Sequence, residues 1–335
     1  LAKPLAMSDA LPEGIHQFLG TTDWEDAEIA PLVGDASFRR YFRLKDGGRS
    51  GMLMHAPPPH EDPRPFLHVA RWLSENGMRA PAILAEDAAK GWVLTEDFGD
   101  QRMREWIDEH GADEDRIYAH AIDTLVKLHS LPPGPFEPYD MAVYQREVDL
   151  FVDWYCPAVG LSVDREAWTA AWDEALAPLL NRQNPGVTVL RDYHAENIML
   201  LEPGTLAGEQ GLIDFQDALV GHPAYDLVSL LQDARRDVPQ QVEQDMLDRY
   251  RAATDSEYDF VADYARLGAQ RNAKIVGIFT RLYKRDGKDR YLGMIPRVWQ
   301  ALERDLAHEA MAPVARWFAE NIPQELRDAG GGTIS

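Results

Sequence analysis

The sequence predicts an α+β protein with a small antiparallel β lobe followed by a large, mainly helical lobe. Strand-like alternation and tight-turn signals are concentrated before residue 98, whereas the rest of the chain has apolar residues three or four positions apart, as in amphipathic helices. A chain of 335 residues is also long for one hydrophobic core. We therefore expect an N-terminal lobe at 1–98 and a C-terminal lobe at 99–335.

The strand signals of the N-terminal lobe begin with an alternating, aromatic-rich segment at 37–44. The turn signal DGG at 46–48 and a second apolar segment at 51–56 complete a predicted hairpin. A helix is predicted at 65–77, with Gly77 as its stop. Two further strands are predicted at 82–87 and 92–98.

The C-terminal lobe is predicted to be helical apart from two short strand-like segments, at 187–193 and 210–216. Its helical periods run through 102–111, 117–131, 144–160 and 166–180, and they resume after Asp226. We therefore expect a helical lobe that holds two short, hairpin-like strands.

The charge balance excludes several classes of partner. With 34 basic and 56 acidic residues, the net charge is −22, which repels nucleic-acid backbones and anionic membranes. The single cysteine, Cys156, excludes an internal disulfide and a cysteine-based metal site. No apolar run approaches the roughly 20 residues that span a bilayer, and the first residues lack the apolar core of a signal peptide. We expect a cytoplasmic protein with neither nucleic-acid nor membrane partners.

Three residues have the side-chain types and the spacing that phosphoryl transfer needs. Asp192 follows one strand-like segment, Asn197 comes five positions later, and Asp214 ends the next apolar segment. One carboxylate can orient a hydroxyl nucleophile and accept its proton. An amide and a second carboxylate supply oxygens of the type that Mg²⁺ prefers, with the remaining ligands coming from phosphates and water.

Together these motifs resemble the aminoglycoside phosphotransferase/choline kinase branch of the protein-kinase-like fold. The spacing Asp192-x4-Asn197 followed by Ile213-Asp214 resembles the catalytic and metal loops of that branch, and the resemblance covers most of the chain. It implies a two-lobe protein-kinase-like fold and an enzyme that uses ATP and Mg²⁺. It also implies that Asp192 is the catalytic base and that Asn197 and Asp214 hold the metal.

Within this branch, the chain is most similar to bacterial amino-sugar kinases. The phrases GDASFRRYFR, LRDYHAEN and DFQDALVGHPAYDLVSLLQDARRD carry this resemblance. Those kinases phosphorylate the anomeric (C1) hydroxyl of N-acetylmuramate and N-acetylglucosamine with ATP, in peptidoglycan recycling. The resemblance therefore implies a small-molecule sugar substrate and a nucleotide as partners.

The chain departs from the kinase pattern where a lysine on the third strand usually holds nucleotide phosphates. The segment GMLMHAPP has no lysine, and Met52, Met54 or His55 occupies the corresponding place. Either some other cation offsets the phosphate charge, for which the candidates are Arg39, Arg40 and Lys45, or the metal must offset more of it. The glutamate that normally pairs with the lysine is left unassigned between Glu61 and Glu75.

Candidates for nucleotide contacts lie in the segments that resemble the phosphate-covering hairpin, the hinge and the floor of the adenine site. These candidates are Gly34, Ser37 and Arg39 for phosphates, Glu96 and Phe98 at the hinge, and Met199 under the base. The alternative for the arginine is an exposed strand position, and for Met199 it is ordinary core packing.

Candidates for substrate contacts are His194, Glu196, Asp217, Arg271 and Lys274. The last two belong to a set of basic residues on the helix at 266–286, which could face an anionic group of the substrate. Surface salt bridges to neighbouring helices are the alternative for that set. Arg191 is expected to pair with a nearby carboxylate, and Asp226 to hold the backbone of the catalytic loop.

Two other functions remain open at this point. Phosphorylation of an aminoglycoside fits the acidic surface, which would attract a polycation. A non-catalytic nucleotide-binding pseudokinase fits the missing lysine, although the complete set Asp192, Asn197 and Asp214 opposes it.

Overall fold

The computed structural model describes residues 11–32, 38–201, 210–254, 256 and 259–334. Their backbone forms two compact units. The first is made of the described residues within 1–106 and 196–217, and the second of those within 107–195 and 218–335. The segment that holds Asn197 and Asp214 thus belongs with the N-terminal residues, although it follows them by some ninety positions in the chain.

An antiparallel sheet is the centre of the first unit. Among the described residues, the strand order is β1-β2-β3-β5-β4, with every neighbouring pair antiparallel. The elements that build this part are α1 (Ile15–Leu19), β1 (Glu28–Pro31), β2 (Arg40–Asp46), β3 (Arg49–His55), α2 (Arg64–Glu75), β4 (Ile83–Asp87) and β5 (Trp92–Glu96).

The predicted alternation of the first hairpin is confirmed. Phe42 and Leu44 of β2 are fully buried, while Arg43 between them points to the other face. Asp46 pairs with Arg49 across a two-residue turn, Gly47-Gly48. Both glycines have positive φ, of 54° and 91°, as a tight turn that suits the twist of a β-hairpin requires.

Helix α2 also forms where it is predicted. Pro65 lies in its first turn, where a missing N–H costs nothing, and Gly77 follows its end with a φ of 72°. Its buried face includes Leu67, Ala70 and Leu73. This face places α2 against the sheet, because Leu67 packs in one cluster with residues of β3 and β5.

The rest of the chain is mainly helical. The helices are α3 (Met103–Glu109), α4 (Glu114–His129), α5 (Met141–Leu150), α6 (Cys156–Ala158), α7 (Arg165–Arg182), α8 (Ala224–Leu231), α9 (Gln240–Thr254), α10 (Phe260–Asp286), α11 (Ile295–Leu306), α12 (Ala312–Asn321) and α13 (Gln324–Asp328). A π-helical stretch, Phe151–Tyr155, joins α5 to α6, and 3₁₀ turns occur at Gly111–Asp113, Asp289–Met294 and Glu309–Met311. None of the described helices combines the length and apolar character needed to cross a membrane.

Helix α10 is the buried centre of the second unit. It packs against α5, α8 and α11. Between Asp263 and Thr280 its residues are buried on most sides of the helix. Aromatic side chains fill the core around it, for example Phe151 stacked on Trp168 with ring centroids 5.5 Å apart. A helix so deeply buried can hold charged side chains rigidly in the interior of the unit.

Two predictions about strands need correction. The segments 187–193 and 210–216 do not form a hairpin with each other. Instead, β6 (Val187–Val189) pairs with β9 (Leu219–Gly221), and β7 (Ile198–Leu200) pairs with β8 (Gln210–Leu212). Strand β6 also ends at Val189, because the carboxylate of Asp226 accepts the next two backbone N–H groups.

Candidate active site

The candidate metal residues, Asn197 and Asp214, lie at matching ends of the β7–β8 hairpin in the first unit. The Ile213 N–H donates to the Asn197 carbonyl over 3.2 Å, which extends the pairing of the two strands to this level. The Asn197 amide then donates to Asp214 Oδ2 at 3.2 Å. The hairpin therefore brings together two side chains that are seventeen positions apart.

Asp214 has a backbone conformation that few non-glycine residues adopt. Its φ is 59°, in the left-handed region. Its second carboxylate oxygen accepts the Gln216 amide at 2.9 Å, and the side chain is exposed. Strained backbone of this kind is concentrated at functional sites, because the surrounding structure must hold it there.

Three contacts fix the hairpin within the first unit. Leu200 N–H donates to the Gln101 carbonyl and Leu212 N–H to the Arg79 carbonyl, both over 2.8 Å. The ring of Phe215 also stacks on Phe66 of α2, with centroids 5.2 Å apart. Asp214 is thus held between a main-chain hydrogen bond and an aromatic stack.

The donor set fits a magnesium ion better than a zinc ion. Asn197 and Asp214 offer oxygens, and a turn of the Asn197 amide brings its oxygen to the side where its nitrogen now donates. The described residues contain no group of three or more His, Cys, Asp and Glu side chains that could hold a metal ion. A site with two protein ligands suits Mg²⁺, which commonly retains phosphate and water ligands.

The candidate base, Asp192, follows a backbone segment that the second unit holds tightly. Asp226 of α8 accepts the Leu190 N–H at 2.7 Å and the Arg191 N–H at 2.8 Å. The prediction that Asp226 holds the backbone of this segment is therefore confirmed. Tyr193 donates its hydroxyl to the Ala121 carbonyl at 2.9 Å, so the backbone is fixed on both sides of Asp192.

The charge on Asp192 is stabilised by side chains of α10. The Asp192 side chain is 46% exposed, and its Oδ1 lies 3.7 Å from Arg271 Nη2. Burial raises the pKa of the Asp192 carboxyl, but the positive charges of Arg271 and Lys274, with lesser help from His194 and Arg191, outweigh it and leave the pKa below its usual value. Asp192 is therefore a carboxylate at neutral pH.

The structure corrects one interpretation of the basic residues on α10. Surface salt bridges do not explain Arg271 and Lys274, whose side chains are 4% and 14% exposed. Arg271 donates to Ser229 Oγ at 2.8 Å, and Lys274 lies 3.0 Å from Glu147 Oε2 and 3.1 Å from the Tyr225 hydroxyl. Both cations belong to the interior of the second unit and act next to Asp192.

Glu147 of α5 is a site residue that the sequence did not reveal. Its carboxylate forms ion pairs with Arg191 and Lys274 and accepts the Tyr139 hydroxyl. Arg191 has a φ of 71°, so this pairing holds a strained residue directly before Asp192. The predicted carboxylate partner of Arg191 is confirmed, but no local spacing could have identified Glu147, because it is 44 positions away.

Replacing Arg271 with methionine should shift the pH dependence of catalysis. Removal of the largest favourable charge raises the pKa of Asp192, so its protonation and the loss of kcat/KM begin at higher pH than in the wild type. The measurement is kcat/KM against pH on the acid side, with Arg281→Met, on the same helix, as the control. Superimposable profiles for Arg271→Met and wild type would contradict this role.

The hinge candidates are close together in the first unit. Glu96 pairs with Arg79 at 2.7 Å, and the Arg79 guanidinium lies 4.7 Å from the centroid of the Phe98 ring. The same ring covers Gly211 of β8, where a Cβ would lie 2.6 Å from a Phe98 ring carbon. The Glu96 N–H donates to the Ala82 carbonyl at 2.9 Å, so this amide is already used.

The remaining candidates differ in how they are placed. Met199 is 4% exposed and is bridged to Arg102, and Glu196 forms an ion pair with Arg104. His194 is buried, whereas Asp217 is exposed. Arg39 forms an ion pair with Glu61. The candidates Gly34 and Ser37 lie outside the described residues.

Comparison with known proteins identifies the family. Residues 28–268 match the sequence pattern of the phosphotransferase enzyme family, which is more than half of the chain. The chain belongs to the phosphotransferase enzyme family. It is accordingly a small-molecule kinase, as the sequence predicts.

Curated relatives match this phosphotransferase over nearly its whole length. A Pseudomonas aeruginosa protein named N-acetylmuramate/N-acetylglucosamine kinase is 41% identical, covering 89% of each chain. A protein of the same name from Caulobacter vibrioides is 37% identical, covering 92% of this chain and 96% of its own.

Solved structures confirm the protein-kinase-like fold of the phosphotransferase. A choline/ethanolamine kinase family protein from Mesorhizobium loti superposes with a TM-score of 0.62 at 13% identity, covering 91% of this chain and 98% of its own. An ADP-bound aminoglycoside phosphotransferase gives a TM-score of 0.60 at 13% identity, and the match covers 89% of this chain and 100% of its own. The predicted two-part α+β class is thus correct.

Proposed function

We propose that this phosphotransferase transfers the γ-phosphoryl group of ATP, with Mg²⁺, to the anomeric C1 hydroxyl of N-acetylmuramate and N-acetylglucosamine, in peptidoglycan recycling. The names of the relatives support the sugar, since they share 37% and 41% identity over nearly the full chain. The observation that carries the chemistry is the carboxylate of Asp192, which Arg271 keeps charged from 3.7 Å.

In this proposal, Asp192 orients the sugar hydroxyl and accepts its proton. The lowered pKa of Asp192 makes it a weak base, which suits an acceptor more acidic than an ordinary alcohol. An anomeric hydroxyl is such an acceptor. Much of the rate then comes from the position of Asp192, which Asp226 and Tyr193 fix through the backbone.

Asn197 and Asp214 are proposed to hold Mg²⁺. When bound, the ion neutralises the charge of the nucleotide phosphates and orients them. The contribution of the chain is to hold the Asn197 amide and the Asp214 carboxylate side by side at the ends of β7 and β8. We place adenine recognition at the hinge after Glu96, because the Glu96 N–H is engaged by Ala82.

The remaining residues are assigned by their surroundings. Arg271 and Lys274 are proposed to act on the substrate through Asp192, and Glu196, His194 and Asp217 stay candidates for sugar contacts. We propose a cytoplasmic enzyme without nucleic-acid or membrane partners, in agreement with the net charge of −22 and the single, buried cysteine. The acidic charge also favours one other acceptor, a polycationic aminoglycoside.

A substrate panel with Mg-ATP tests the proposal. The protein is incubated with N-acetylmuramate, N-acetylglucosamine, an aminoglycoside, choline or a peptide, and ADP release is followed. Release that depends on an N-acetylated sugar, together with a product phosphorylated at C1 by NMR, is the expected result. Turnover only with the aminoglycoside would replace the sugar by that substrate, and nucleotide binding without any turnover would indicate a pseudokinase.

A further inference from the structure

Near the position where the phosphate-binding lysine would stand, strand β3 offers no cation, because its one arginine, Arg49, lies at the other end and pairs with Asp46. Met52 and Met54 of β3 are uncharged, and Met54 is buried. His55 stacks on Trp92 with ring centroids 4.0 Å apart, and burial, together with the charge of Arg40, lowers its pKa. His55 is therefore neutral at physiological pH, so any protein cation that binds the phosphates comes from another element.

The sheet register decides which face a replacement must occupy. Tyr41 of β2 lies opposite Met54 of β3, and Arg43 lies opposite Met52, so these side chains share one face. Arg39 lies just before β2, and its hydrogen bond to the Tyr41 side chain places it on the same side, whereas Arg40 belongs to the other face. The arginine thus lies on the side of the sheet that carries Met52 and Met54, two of the three candidate positions for the lysine.

The other basic residues of β2 are less suitable for binding phosphates. The Arg40 guanidinium lies 5.1 Å from the centroid of the Phe42 ring, on the wrong face. Arg43 is bound by two carboxylates, those of Asp97 and Asp100, each at 2.8 Å. Lys45 is exposed near the turn end of the hairpin.

Arg39 is held by a glutamate, as the usual lysine is. One oxygen of Glu61 accepts the Arg39 Nε–H at 3.2 Å, and the other accepts the Phe38 N–H at 3.3 Å. Both side chains of the pair are 17% exposed. The ring of Phe38 also stacks on His60, with centroids 5.2 Å apart. The segment before α2 therefore contacts the residues just before β2 through both His60 and Glu61.

The Arg39–Glu61 pair lies on the side of the first unit that holds the β7–β8 hairpin. Tyr41, which is hydrogen-bonded to Arg39, packs in a cluster with Phe66. Phe66 stacks on Phe215, directly after Asp214.

We propose that Arg39, positioned by Glu61, binds the phosphates of the nucleotide in place of the absent strand lysine. Glu61, between β3 and α2, is then the counterpart of the helix glutamate that the sequence left unassigned. The proposal rests on the ATP-dependent reaction proposed above. An arginine here can contact two phosphate oxygens at once, where a lysine acts as a point charge.

Nucleotide binding without any sugar tests this assignment. Binding of ATP, ADP and adenosine, each with Mg²⁺, is measured by calorimetry for the wild type, Arg39→Met, Arg39→Lys and Glu61→Gln. Arg39→Met should weaken ATP and ADP about tenfold or more, since hydrogen bonds to charged groups contribute this much, and leave adenosine within about twofold. Arg39→Lys should retain part of the ATP affinity, and Glu61→Gln should weaken ATP less than Arg39→Met.

Arg71→Met is the matched control, because Arg71 in the same unit also pairs with one glutamate, Glu86. It should leave all three affinities unchanged. ATP affinity within twofold of wild type in Arg39→Met, or an equal loss for ATP and adenosine, would overturn the assignment. If Arg39→Met does not fold, the ratio of ATP to adenosine affinity in Arg39→Lys and Glu61→Gln decides instead. Because no sugar is present, a wrong acceptor in the proposed function cannot produce either result.

Discussion

Replacing Asp192 with asparagine should reduce kcat by at least about 100-fold, within the usual contribution of a general base. The amide has nearly the shape of the carboxylate but cannot accept the proton of the sugar hydroxyl. Because Asp226 and Tyr193 hold the surrounding segment through hydrogen bonds that do not involve the Asp192 side chain, the variant should keep its fold. Steady-state ADP release and a thermal melt measure the two effects separately.

Asp123→Asn is a suitable control for this substitution. Its side chain is 51% exposed, against 46% for Asp192, and each carboxylate faces an arginine of the second unit. The control should retain wild-type kcat. A variant of Asp192 with kcat within a few-fold of wild type, at saturating sugar and ATP, would show that another group accepts the proton.

Replacing Asp214 with alanine should have an effect of similar size on kcat, roughly 100-fold or more, because charge stabilisation by a metal contributes several kcal/mol. The loss should be accompanied by a higher Mg²⁺ requirement, since Asn197 alone remains of the two proposed ligands. A titration of activity with MgCl₂ at fixed ATP measures this requirement.

Asp87→Ala is the control, since Asp87 is an aspartate of the same unit, at the end of β4, where the proposed function places no contact. We expect its Mg²⁺ titration to follow that of the wild type. If Asp214→Ala lost activity without any change in the Mg²⁺ midpoint, the carboxylate would act otherwise than as a metal ligand. Asn197→Ala should then also leave the midpoint unchanged.

The sequence predicted the class of the fold and the types of the central residues. Alternation in β2, the Gly47-Gly48 turn and the stop of α2 at Gly77 are local signals, set by side-chain periodicity and backbone freedom. Such signals survive folding because each depends on residues that are neighbours in the chain. Asp192 and Asn197 are likewise close together in the chain, so their spacing can be recognised without a structure.

What the sequence did not show depends on contacts between distant segments. The end of β6 at Val189 is set by Asp226, and the partner of Arg191 is Glu147 on another helix. The positive φ angle at Arg191 has no signature in residue type, and the one at Asp214 has only a weak one, since aspartate adopts this region more often than most residues. The inward direction of Arg271 follows from the burial of α10 on most sides, which a helical period alone cannot indicate.

The first compact unit is encoded by two separate stretches of the gene, which limits how the protein can be recombined. Residues 196–217 take main-chain partners from Gln101 and Arg79, far upstream. A crossover near residue 106 between two related genes would exchange those partners but leave the hairpin from the original parent. A viable chimaera of the N-terminal lobe must therefore carry the donor's residues at 196–217 as well.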